Sequence, residues 1–144
     1  MLPLASFVLF KVFVMKFALA VYGAPANSQA PQSALHFARA LVAQGHEIVR
    51  LFFYQDGVNT ATAIAQPPQD ESDLPAQWQA FIQEHQLDAV VCIAAALRRG
   101  VVDLAEAKRY QLPGSNLRDG YELSGLGQLV DGALLADRVV TFGA

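Results

Sequence analysis

Nearly continuous apolar runs alternate with helix-like patterns along this chain, and this alternation constrains the fold more than any other feature. The runs are KFALAVY at 16–22, IVRLFFY at 48–54, DAVVCI at 88–93 and DRVVTF at 137–142. β-Branched and aromatic residues favour strands, and strands that are apolar on both faces are typical of a parallel sheet covered by helices on both sides. The runs predict four strands, and residues 121–123 predict a short further one.

Helical patterns separate these runs. Apolar residues at helical spacing predict a helix over 34–41, with Gly45 at its C-cap, and a second over 78–85. A short helix over 94–99 is predicted to stop at Gly100, and Asp103 followed by Glu106 resembles a capping box that opens a helix through Tyr110. Ser124 is predicted to cap a last helix. That helix carries on one face Leu126, Leu129, Val130, Ala133 and Leu134.

The fold class predicted from this order is α/β. We expect a single-domain, three-layer sandwich with a mostly parallel, doubly wound sheet and flavodoxin-like topology. A length of 144 residues suits one compact domain, and the sequence contains no internal repeat or domain linker.

The first residues, MLPLASFVLFKVFVM, form an apolar run that is too short for a membrane span and is interrupted by Lys11. They lack a clear basic region and cleavage site for secretion. We predict that Met15 is the initiator, that residues 1–14 are an extension outside the fold, and that the domain spans residues 15–144. The alternative is an apolar arm that packs on a partner.

Composition and charge point to protein partners. Hydrophobic residues make up 53% of the chain and charged residues 16%, against about 45–50% and about 25% in typical domains. We therefore expect apolar surface that a partner chain covers. The formal net charge of −3 argues against direct nucleic-acid binding, which usually needs a basic surface.

Cys92 is the only cysteine, which excludes an internal disulfide, a CxxC pair and a cysteine-based zinc site. It falls near the carboxyl end of the third strand, which we predict to be central, and a helical segment follows at once. Backbone N–H groups at a helix start stabilise a thiolate, the reactive form of cysteine. A free cysteine is also a common core residue. Position alone leaves the nucleophilic and the structural interpretation open.

Basic residues concentrate in one stretch. Arg98, Arg99, Lys108, Arg109 and Arg118 are half of the ten basic residues, whereas no Lys or Arg occurs between Leu51 and Leu97. Arg98 and Arg99 either support a thiolate electrostatically or complement a helix C-terminus, and spacing favours the second interpretation. The stretch as a whole is either a docking surface or an ordinary solvated face. If the stretch is a docking surface, we expect charge reversal at Arg98 and Arg99 to slow the reaction that depends on docking.

Other chemistries lack their motifs. The loop GAPANSQAP after the first strand has neither a dinucleotide nor a P-loop pattern, and SGLG at 124–127 is no nucleophile elbow. His36, His46 and His85 show no metal-ligand spacing. We expect no metal and no organic cofactor.

Several stretches together resemble the DsrE family of sulfur-relay proteins. They cover residues 15–142 and include FALAVYGAP, ALHFARALVAQGHE, LFFYQDGV, VVCIAAALRRGVVD and SNLRDGYELSGLGQLVDGALLADRVVTF. The resemblance implies a cytoplasmic sulfurtransferase that carries sulfur as a persulfide on Cys92. It implies TusB-like and TusC-like subunits in a heterohexamer, a TusA-like donor and a TusE-like acceptor, with 2-thiolation of a tRNA wobble uridine as the end use.

Three alternatives stay open. A DsrE-type subunit of a sulfur-oxidation complex would use similar cysteine chemistry. A non-catalytic structural subunit would bury Cys92 as an unreactive thiol. A flavin- or nucleotide-binding module would need a phosphate-binding loop, for which the sequence offers no pattern.

Overall fold

The computed structural model describes residues 13–144. The predicted N-terminal extension therefore lies outside the described residues, except for Phe13 and Val14, which are exposed.

Five strands form one sheet in which every neighbouring pair is parallel. They are β1 (Lys16–Val21), β2 (Glu47–Phe53), β3 (Ala89–Cys92), β4 (Tyr121–Ser124) and β5 (Arg138–Phe142), in the order β4-β3-β2-β1-β5. All five strands were predicted, but the prediction that the third is central was wrong. β2 is central because β5 returns to the far side of β1. In the flavodoxin order, by contrast, the second strand lies at an edge.

Helices cover both faces of the sheet, as predicted for a three-layer sandwich. They are α1 (Ala30–Ala43), α2 (Leu74–Glu84), α3 (Ile93–Arg98), α4 (Leu104–Arg109) and α5 (Gly127–Leu135). Strands β1 to β4 progress in one direction, and the connection to β5 reverses it. Because parallel crossovers are right-handed, this reversal places α5 on the face opposite α1 and α2.

The two outer layers meet the sheet through different side chains. On one face, the ring of Phe37 in α1 lies 6.0 Å from that of Phe17, and Trp78 in α2 lies 5.4 Å from Phe53. Trp78 is fully buried and donates its indole N–H to the carbonyl oxygen of Pro31 at 2.9 Å. Burial of such large side chains supplies most of the stabilising free energy of a domain.

On the other face, Arg50 of β2 holds α5 against the sheet. Its guanidinium donates to the carboxylates of Asp88 and Asp131 and to both oxygens of Gln128, at 2.7–3.1 Å. A Cβ added at Gly132 would lie 3.0 Å from the Cβ of Arg50, so a glycine there lets the helix lie close to the Arg50 stem. Burial disfavours the charged guanidinium, but the hydrogen bonds to Asp131 and Asp88 outweigh this effect and raise the pKa of Arg50.

Local turn and cap chemistry explains most helix ends. α1 is followed by Gly45 at a φ of 83°, in agreement with the prediction, and α3 is followed by Gly100 at a φ of 74°. The Asp103 carboxylate accepts the Glu106 N–H at 2.8 Å, which confirms the predicted cap of α4. After β2 the chain forms a 3₁₀ helix, Gln55–Ala61. Its Gly57 approaches β1 so closely that an added Cβ would lie 2.1 Å from the Val21 carbonyl oxygen.

The prediction for the start of α5 was wrong. Ser124 is the last residue of β4, and the N-cap of α5 is Leu126, with no side-chain hydrogen bond to the helix. The predicted apolar face of this helix is also mostly exposed: Leu129 is half-buried, whereas Leu126, Val130, Ala133 and Leu134 are exposed. α5 packs on the sheet through the small residue Gly132 and leaves its larger apolar side chains available to a partner.

Candidate functional site

Cys92 lies at the carboxyl edge of the sheet. It is the last residue of β3 and the N-cap residue of α3, as the sequence predicted. Ser124, the last residue of β4, is its register partner. Because partners in a parallel pair point to the same face, the Ser124 hydroxyl and the Cys92 thiol share one side of the sheet. Ser124 was predicted to cap the last helix, but in the structure it pairs with Cys92 in the sheet.

The thiol is buried within the chain. Cys92 is 2% exposed and belongs to the continuous hydrophobic core. Cys92 faces the same side of the sheet as Val90 and Phe52. On this side, α5 covers β1 and β2. On β4, the two residues of this face are Glu122, which is exposed, and Ser124, which is half-buried. The cover on this face of the sheet is therefore thinnest over β4, the strand beside Cys92.

The segment that follows Ser124 leaves room for movement. A Cβ added at Gly125 or at Gly127 would meet no heavy atom within 4 Å, and Leu126 between them is 48% exposed. A glycine-rich segment without neighbours loses little packing when it shifts. Added side-chain atoms would therefore fit at both glycines that follow Ser124.

Arg98 and Arg99 lie at the opposite end of α3 from Cys92. The rise of a six-residue helix separates them from the sulfur by about 9 Å. Arg99 donates to the Asp56 carboxylate at 2.8 Å and to the Ala95 carbonyl oxygen at 3.1 Å, so it satisfies the helix C-terminus. Arg98 is exposed and makes no side-chain hydrogen bond or ion pair to residues 13–144. Neither arginine contacts the thiol, in agreement with the helix-terminus interpretation.

A further buried polar group occupies β4. Tyr121 packs its ring 5.5 Å from Phe53, and its hydroxyl is buried without a hydrogen-bond partner among the described residues. Burial in this apolar environment raises the pKa of Tyr121, and the nearby positive charge of Arg118 only partly opposes the shift. The Tyr121 phenol therefore stays neutral at physiological pH.

Cys92 lines neither of two surface cavities that residues 13–144 form. The larger, of about 690 Å³, lies at the end of α3, and the smaller, of about 470 Å³, borders the loop after β1. Across residues 13–144, no group of His, Cys, Asp or Glu side chains is arranged to hold a metal ion. No helix in the same part of the chain has the length and apolar character needed to cross a membrane.

The arrangement of this sheet agrees with comparisons to known proteins. The model of the DsrE/DsrF-like family matches residues 15–142. The chain belongs to the DsrE/DsrF-like family. This confirms the resemblance that the sequence stretches indicated.

Individual relatives within the family are close. The chain is 58% identical over 129 residues to a protein named Sulfurtransferase TusD homolog from Pseudomonas aeruginosa, a match that covers 90% of this chain and 98% of the relative. It is 48% identical over 129 residues to a protein named Putative sulfurtransferase DsrE from Allochromatium vinosum, with coverage of 90% of this chain and 99% of the relative. Such relatives support a sulfur-transfer role and transferase activity for the chain, as the resemblance implied.

The fold is also that of a solved structure. The crystal structure of the ychN protein from E. coli superposes with a TM-score of 0.70 at 27% identity, covering 90% of this chain and all of that one. This match supports the α/β architecture described above, including the single parallel sheet.

Sequence reasoning missed two features around the candidate site. It did not predict that Ser124 pairs with Cys92, because strand pairing joins residues 32 positions apart. It also did not predict the larger cavity, whose walls come from three separate segments near residues 64, 97–102 and 110–116. The only sequence indication was the concentration of basic residues in the same region.

Proposed function

We propose that this chain is a sulfurtransferase subunit that carries sulfur as a persulfide on Cys92. The observation that carries the proposal is that a DsrE/DsrF-like chain with sulfurtransferase relatives contains one cysteine, at the carboxyl edge of its sheet. Sites of open parallel sheets form at this edge. With no second internal thiol, a persulfide on Cys92 cannot be lost as an internal disulfide.

The exchange needs no external oxidant or reductant. The Cys92 thiolate attacks the outer sulfur of a donor persulfide, forms a new S–S bond and releases the donor as a thiolate. The acceptor thiolate then attacks the same outer sulfur and regenerates the Cys92 thiolate. Cys92 is the N-cap residue of α3 and so lies at the positive end of this helix, where an anion is favoured, although its sulfur accepts no hydrogen bond from the first N–H groups of α3. The protein also shields the persulfide, because Cys92 is almost fully buried.

Access to this sulfur requires the neighbouring segment to move. We propose that residues 124–127 shift when a partner docks, because a Cβ added at Gly125 or at Gly127 would meet no heavy atom within 4 Å. The resting chain would then protect the persulfide from stray thiols, and transfer would take place only within a complex.

We further propose the partners that the family resemblance implies. A TusA-like carrier supplies the sulfur, a TusE-like protein accepts it, and the end use is 2-thiolation of a tRNA wobble uridine in the cytoplasm. TusB-like and TusC-like subunits would complete a heterohexamer. The exposed apolar side chains of α5 support such an assembly, because Leu134 and Val130 are 82% and 60% exposed in the single chain. The domain that acts in this way is proposed to span residues 15–144, with residues 1–14 as an extension.

The direct test is intact mass after incubation with a cysteine desulfurase, cysteine and the TusA-like carrier. We expect the wild type to gain one sulfur atom that reductant removes, and Cys92→Ser to gain none. If the chain alone gains nothing, the TusB-like and TusC-like partners are added. No gain in the full complex would refute the carrier role.

Two other functions each have an observation in their favour. The 48% identity to the Allochromatium vinosum DsrE favours a DsrE-type subunit of a sulfur-oxidation complex. It is distinguished by asking whether sulfur from loaded Cys92 reaches tRNA through the TusE-like acceptor. The burial of Cys92 favours a structural subunit. That function predicts that a thiol reagent modifies Cys92 only upon unfolding, both with and without the partner proteins.

A further inference from the structure

The larger cavity has a form suited to an apolar anchor. Its walls include Ile64, Leu97, Val102, Tyr110, Leu112 and Pro113. Three of these side chains are largely open to solvent, since Ile64 is 74%, Tyr110 52% and Leu112 44% exposed. A cleft of about 690 Å³ with mostly apolar walls is large enough for one or two side chains of another molecule.

Hydrogen bonds hold the walls of this cavity in place. The Asn116 side chain accepts the Val102 N–H at 2.8 Å and donates to the Gly100 carbonyl oxygen at 2.7 Å. Its backbone carbonyl accepts the Ala63 N–H at 2.7 Å, which attaches the segment that carries Ile64. The cavity is therefore preformed, and little ordering would be needed when a partner enters.

Basic residues adjoin the cavity walls in sequence, and we call Arg98 and Lys108 the rim of the cavity. Residues 98–119 contain five basic and three acidic side chains, whereas the whole chain has a formal net charge of −3. Two of those acids present little negative charge outward, because Asp103 caps α4 and Glu106 is 8% exposed. Arg98 follows the wall residue Leu97 in sequence, and Lys108 lies two residues before the wall residue Tyr110. Both basic side chains are exposed and make no ion pair within the described chain.

We propose that this cavity docks an acidic segment of the protein that exchanges sulfur with Cys92, with an apolar side chain of that segment seated between Leu97 and Leu112. Charge complementarity favours an acidic partner. Leu97 of the cavity wall is five residues along α3 from Cys92, an axial rise of about 8 Å. Two or three extended residues of the partner would span that distance.

This inference rests on the proposed function for the identity of the partner, but its test does not depend on sulfur chemistry. Binding is measured by fluorescence anisotropy in the Cys92→Ser background, which cannot accept sulfur, with the proposed donor and acceptor proteins labelled in turn. The variants are Arg98→Glu combined with Lys108→Glu for the rim, and Leu112→Asp for the cavity. Arg39→Glu is the matched control, because Arg39 is also an exposed arginine but lies on α1.

We expect the rim variant and the cavity variant each to bind the donor or the acceptor protein about tenfold more weakly than the parent does. The Arg39→Glu control should bind both proteins as tightly as the parent. We also expect raised salt to weaken the parent and to have less effect on the rim variant. Circular dichroism checks that each variant is folded. Absence of binding by the parent, or unchanged affinity of both cavity and rim variants for both proteins, would overturn the docking proposal.

A second measurement separates docking from reactivity. On chains that retain Cys92 and are assembled with the TusB-like and TusC-like subunits, loading from free cysteine persulfide should proceed at the parental rate in the rim and cavity variants. An equal loss with cysteine persulfide would show that these side chains act on the thiol itself and would overturn the docking proposal. If no donor loads Cys92 in the parent, the carrier function fails while the binding result stands.

Discussion

Replacing Arg50 by methionine tests whether one buried cation holds α5 on the sheet. The guanidinium makes five hydrogen bonds, two to Asp88, two to Gln128 and one to Asp131. Methionine keeps most of the apolar stem that packs against Gly132 but removes the charge and every donor. The substitution therefore isolates the polar part of the contact from the packing part.

The expected loss can be worked from the exposure of the partners. Removing one member of a fully buried ion pair typically costs about 3–5 kcal/mol, because the other member is left unsolvated. Here the side chain of Arg50 is 10% exposed, but those of Asp88 and Asp131 are 46% and 57% exposed. Both carboxylates can therefore rehydrate, and we expect a loss of about 2–3 kcal/mol, below or at the low end of that range.

Urea unfolding followed by circular dichroism measures this loss. For a domain of this size, it corresponds to a fall in Tm of roughly 4–12 °C. Arg39→Met is the matched control, since Arg39 is exposed on α1 and should change stability by less than about 0.5 kcal/mol. If Arg50→Met were as stable as that control, the buried arginine would not be what attaches α5.

Three further predictions follow from single contacts. Gly57→Ala should destabilise the fold by about 2–3 kcal/mol in urea unfolding, because its Cβ would meet the Val21 carbonyl oxygen at 2.1 Å; an unchanged midpoint would contradict this. Tyr121→Phe should stabilise by about 1 kcal/mol, because it removes a buried, unpartnered hydroxyl. Since burial raises the pKa of Tyr121 above the unfolded value of about 10, the wild type should lose stability as pH rises past about 10; the variant should lose less, and parallel pH profiles would refute the assignment. Asp103→Ala should cost about 1 kcal/mol by removing the cap of α4, and equal stability would show that the cap is not needed.

Features that depend on neighbouring residues could be predicted from the sequence. β3 was predicted at 88–93 and spans Ala89–Cys92, because a buried parallel strand is a short apolar run. The cap at Asp103 was also predicted, because a cap is a contact between residues three positions apart. The position of Cys92 at the end of a strand followed from the same local pattern.

Features that depend on distant residues could not be predicted. Arg50 interrupts an apolar run, and its partners lie 38 to 81 positions away along the chain. Ser124 precedes a helix closely enough to resemble a cap, yet its pairing with Cys92 makes it the end of a strand. No local pattern distinguishes the two roles, since both place a small polar residue before a helix.

The sequence by itself determined the alternation of strands and helices, the α/β class and the single cysteine that family membership makes chemically relevant. Only the tertiary structure decided that β2 is central, that Cys92 is buried, that α5 exposes its apolar side chains and that a largely apolar cavity lies at the far end of α3 from Cys92. The physical reason is the range of the interactions. Backbone conformation follows from residues within a few positions, whereas strand order, burial and cavities follow from packing between segments far apart in the chain.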